Sequence, residues 1–72
     1  MELTPIRHEE WLELRVTGRL DAYWAEQLDA ELGELVGGGE HHLRLHLGEV
    51  SFLSSAGIRV LLSYAKELAQ ID

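Results

Sequence analysis

The sequence predicts an α/β domain in which a β-β-α-β-α chain builds one sheet with both helices packed on it. Three observations predict it. Two stretches alternate apolar and polar residues, Leu12 to Thr17 and Leu43 to Leu47, as half-buried strands do. Each is followed by apolar residues at helical spacing. The segments are separated by Gly18, by Gly37-Gly38-Gly39 and by the small junction Ser54-Ser55-Ala56-Gly57.

Taken in order, Glu2 to Arg7 reads as a first strand, and Pro5, lacking an amide donor, places it at an edge. His8-Glu9-Glu10 is a polar turn. From Trp11 to Thr17 the chain alternates, with Leu12, Leu14 and Val16 inward, so the economical pairing is a hairpin that Gly18 ends. Asp21 is placed to cap the next helix, where a carboxylate accepts amide hydrogen bonds and meets the positive end of the helix dipole. Ala25, Leu28, Leu32, Leu35 and Val36 form that helix's stripe, with Glu26, Asp29, Glu31 and Glu34 on the wet side. Gly33 within it costs about 1 kcal/mol relative to alanine.

The third strand runs from Leu43 through Val50 and Phe52 to the junction, next to the hairpin. Beyond it Ile58, Leu61, Leu62, Ala65, Leu68 and Ala69 fall on one helical stripe. Ser54 or Ser55 is the natural N-cap, and Gly57 allows a close approach to the backbone.

The 72 residues suffice for a single domain, residues 1–72, whose core is small for its surface. A formal net charge of −7 opposes binding to nucleic acid and steers the molecule towards a basic protein surface. There is no cysteine, no apolar run long enough to cross a bilayer and no signal-peptide layout at the N-terminus, so no membrane insertion and a cytoplasmic location are expected. His42 and His46 share a strand face but lie about 13 Å apart by strand rise, too far for one ion, and no metal is expected. Trp11, Tyr23, Trp24 and Tyr64 read as core or interface residues, and no cofactor is implied. No glycine-rich phosphate loop or nucleophile motif is present, so the chain is not expected to be an enzyme.

Phe52-Leu53-Ser54-Ser55-Ala56-Gly57-Ile58, entered from a leucine strand and followed by a helix, resembles the signature of STAS domains, the fold of bacterial anti-sigma factor antagonists. Gly18-Arg19-Leu20-Asp21 is similar to that family's earlier G-x-L-D element. The resemblance runs from about Leu12 to Leu68, and it implies a STAS-like sheet that lacks the family's final strand and helix. Either the chain is then a fragment of a longer protein, or the open sheet edge and apolar helix face are covered by a second copy or by another chain.

The resemblance also implies a function: binding an anti-sigma factor serine kinase and being switched by phosphorylation at Ser55. Asp21, Ser54, Ser55, Ala56, Gly57 and Arg59 would form the partner-binding surface. The sequence departs from the family pattern at Ser54, where an Asp usually stands, and at Ala56, the second hydroxyl position; His46 and Gly48 stand where Asp and Ser are frequent. An unphosphorylated STAS scaffold subunit of a transport or signalling complex is the alternative, and a small hydrolase or ligand binder using Ser55 is a third.

Overall fold

A computed structural model describes residues 1–71. Its elements are β1 (Glu2–Arg7), β2 (Leu12–Leu20), α1 (Ala22–Gly37), β3 (Leu43–Leu53), α2 (Ser55–Ser63) and β4 (Leu68–Ile71). The sheet order is β1-β2-β3-β4, with β1 antiparallel to β2 and both β3 and β4 joined in parallel. A parallel neighbour requires a crossover connection, and α1 and α2 supply the two crossovers.

Both helices cover the same face of the sheet. Leu12, Leu14, Val16 and Leu20 of β2 and Leu43 and Leu45 of β3 meet Leu28 and Leu32 of α1 and Leu61 of α2 in one core. Leu14, Val16, Leu20, Leu28, Leu32, Leu43 and Leu45 are essentially removed from water. Glu13, Arg15, Arg44 and His46 alternate with these leucines and point to the opposite face.

The hairpin, the first helix and the third strand form as the periodicities predict, with β1 on the sheet edge as Pro5 requires. Two boundaries differ. Gly18 does not end β2: it takes a φ of 97°, the pairing with β3 shifts register between Gly18 and Arg19, and the strand continues to Leu20. The glycine thus serves as an irregularity inside the strand.

The second helix is shorter than its apolar stripe. It stops at Ser63, the chain turns through Tyr64–Glu67, and Leu68–Ile71 pair with β3 as a fourth strand. Leu68 and Ala69 therefore belong to the sheet, and a strand expected to be missing is present in short form. Hydrogen bonding to the open edge of β3 outweighs the helical spacing of those residues. Ile58 and Leu62 remain on the outer side of α2, and Leu62 is 71% exposed.

Gly33 has a packing reason. A Cβ there would lie 3.2 Å from the hydroxyl of Tyr64, which reaches from the end of α2 to donate a hydrogen bond to the Asp29 carbonyl at 3.3 Å.

Candidate functional site

The two parallel strands β2 and β3 end side by side, Leu20 opposite Leu53. The Ser54 amide donates to the Leu20 carbonyl at 3.0 Å, which fixes the two strand ends together. The next residue of each strand caps a helix. Asp21 Oδ1 accepts from the Trp24 amide at 3.0 Å, and Ser54 Oγ accepts from the Gly57 amide at 3.1 Å. Both helix N-termini thus open from one edge of the sheet, the carboxyl ends of its parallel strands, where open α/β sheets characteristically hold their sites.

This arrangement separates the two serines. The Ser54 hydroxyl is occupied as the cap of α2 and is half-buried. Ser55 is the first helical residue and is exposed. Asp21 and Ser55, far apart in sequence, are brought to the same edge.

Gly57 is buried, and its open side faces inward. A Cβ on it would lie 2.8 Å from Leu20 Cγ, 3.0 Å from Leu20 Cδ2 and 3.2 Å from Leu53 Cδ1. The close approach expected at this glycine is therefore made by the core, not by a visitor from outside. It lets the first turn of α2 lie directly on β2 and sets the position of Ser55.

From this edge a groove of about 320 Å³ runs between the helices, lined by Ala22, Ala25, Glu26 and Asp29 of α1 and by Ala56, Arg59 and Val60 of α2. Ala25 is buried at this groove, and the charged residues Glu26, Asp29 and Arg59 are exposed along it. Ala56 and Arg59, both expected at the site, lie here. Glu26 and Asp29 read in the sequence only as solvated helix residues; their part in the groove depends on how α1 and α2 pair.

Sequence reasoning also underrated the apolar rim. Tyr23 follows the Asp21 cap by two residues and is 62% exposed. Phe52 lies under the Arg19 guanidinium, 4.3 Å from ring centroid to carbon, on the open sheet face. The signal was available, since Phe52 and Arg19 lie out of phase with the leucines that enter the core.

Away from this edge, the open sheet face carries a second cluster. His8 stacks on Trp11 at 3.7 Å, and the Arg44 guanidinium carbon lies over the indole, 4.1 Å from a ring centroid. Glu13 joins His8 at 3.2 Å and Arg15 at 2.8 Å, and the Arg15 hydrogen bond is the main cause holding its carboxyl below the ordinary 4.5. His42 borders a hollow with Glu10, Trp11 and Arg44. Among the described residues, no three histidine or acidic side chains converge as metal ligands, and no helix is long and apolar enough to cross a membrane.

The chain is thus an α/β module whose sheet carries two helices on one face, both capped at one sheet edge beside an exposed serine. Residues 3–72 match the STAS domain model, and the chain belongs to that family. It is 41% identical over its whole length to BtrV of Bordetella bronchiseptica, provisionally named an anti-sigma factor antagonist, and spans 62% of that protein. It is 29% identical to the anti-sigma-B factor antagonist of Staphylococcus epidermidis, of which it spans 67%. The fold is similar to that of the anti-sigma factor antagonist SpoIIAA in its unphosphorylated form, with a TM-score of 0.74 and 22% identity over 92% of this chain and 62% of that one. The phosphorylated form of the Bacillus cell fate determinant SpoIIAA gives a TM-score of 0.75 at 21% identity, over 97% and 68% of the two chains.

Proposed function

We propose that this chain is an anti-sigma factor antagonist module of the cytoplasm that binds an anti-sigma serine kinase and is switched by phosphorylation of Ser55. Asp21, Ser54, Ser55, Ala56 and Arg59 form the contact surface, and Gly57 acts by seating α2. The observation that carries the reading is the exposure of Ser55 beside a Ser54 hydroxyl already committed to a cap. In the transfer, Ser55 Oγ attacks the γ-phosphorus of ATP, ADP leaves, and the hydroxyl proton passes to a base of the kinase. The added charge, close to −2, appears at a position where the unmodified serine carries none.

Intact-mass spectrometry with phosphopeptide mapping on protein from its own cells tests this. One phosphate on Ser55, with phosphate uptake and partner release both lost in Ser55→Ala, is the expected result. An unmodified mass in every growth condition would refute it.

A second reading, a scaffold subunit that binds without being phosphorylated, is favoured by the serine at position 54 in place of the family's Asp and by the exposed Ile58 and Leu62 of α2. Unchanged partner exchange in Ser55→Ala would select it.

A further inference from the structure

We propose that Arg59 is the intrachain receiver of a phosphate on Ser55, drawing it over the mouth of the groove between α1 and α2. The inference rests on the phosphorylation reading above and adds how the modified side chain is held.

Ser55 and Arg59 stand at i and i+4 of α2, a spacing at which side chains share a helix face and can pair. Of the five arginines, four are engaged: Arg7 with Glu40, Arg15 with Glu13, Arg19 over Phe52 and Arg44 over Trp11. Among the described residues, Arg59 is the arginine whose guanidinium has no such partner, although Glu26 and Asp29 line the same groove. Arg59 is thus an uncommitted fork one turn from the exposed serine.

A phosphate arriving on Ser55 meets carboxylates on α1, with Asp21 at the shared edge and Glu26 and Asp29 along the groove. These repel it. Arg59 is the cation lining that groove, and a guanidinium matches phosphate oxygens in a bidentate geometry that an ammonium lacks. Pairing with the phosphate also takes Arg59 away from the acidic rim. One modification therefore alters the groove twice, by adding an anion at its mouth and by leaving Glu26 and Asp29 without a facing cation.

The test places phosphoserine at position 55 of the full chain by encoded incorporation and follows its second ionisation by phosphorus NMR at low salt. Arg59→Gln is expected to raise that pKa by about 0.15 to 0.4 unit. Arg59→Lys should recover part of the shift, and high salt should shrink it. Equal values in the Arg59→Gln and unaltered proteins would overturn the proposal. Because the phosphoserine is installed directly, a failure of the kinase reading leaves this measurement untouched, and the two can fail separately.

Discussion

Replacing Gly57 with alanine sets two effects of opposite sign against each other. Within a helix, glycine to alanine normally stabilises by about 1 kcal/mol, because the unfolded chain loses freedom and the helix gains propensity. Here the new methyl would meet Leu20 at 2.8 and 3.0 Å and Leu53 at 3.2 Å. Leu20 is itself fully buried, so its side chain cannot swing clear, and α2 must lift from β2. Overpacking of this kind costs about 1–3 kcal/mol, and contacts this short place it in the upper part of that range. The balance is a loss of about 1.5 kcal/mol, which lowers the Tm of a domain this small by roughly 6–12 °C. Thermal and urea unfolding of Gly57→Ala measure it, and trimming Leu20 to valine in the same chain should return part of the loss. A Gly57→Ala protein as stable as the parent, or more so, would refute the argument that Leu20 holds α2 in place.

Ser54→Ala should cost about 1 kcal/mol in urea unfolding by removing the acceptor for the Gly57 amide, whereas Ser54→Asp, which restores both a cap and the charge usual in the family, should hold stability. The Glu13 carboxyl is held below 4.5 by Arg15, so its contribution is present above that pH and is lost as pH falls through the lowered folded value. In Arg15→Gln, an NMR titration of Glu13 should move back up towards 4.5, and the acid limb of the stability curve should flatten.

The parts of the fold that were legible in the sequence are those where burial and periodicity agree. Leu12, Leu14 and Val16, and Leu43 and Leu45, alternate because one face of the sheet is covered and the other is open. The end of α2 was not legible, because no glycine or proline marks the stop between Ser63 and Leu68 and a four-residue strand is too short to show its own period. Its conformation is decided by the unpaired edge of β3, a partner distant in sequence. Gly18 misled for a related reason: a positive φ suits a turn and a strand irregularity equally. At the site, the caps at Asp21 and Ser54 were readable from residue type and position. The groove was not, since Glu26, Asp29 and Arg59 come together only when two helices lie side by side.

The contact between Tyr64 and Gly33 binds the history of two distant positions. The phenol hydroxyl lies 3.2 Å from where a Cβ at position 33 would stand, so a side chain at 33 presses on residue 64. A lineage that acquires alanine at 33 gains helix propensity, but the Tyr64 hydroxyl must then give way by a few tenths of an ångström, at the expense of its bond to Asp29. Among sequences that keep this pairing of helices, alanine at 33 should therefore accompany phenylalanine at 64 more often than tyrosine.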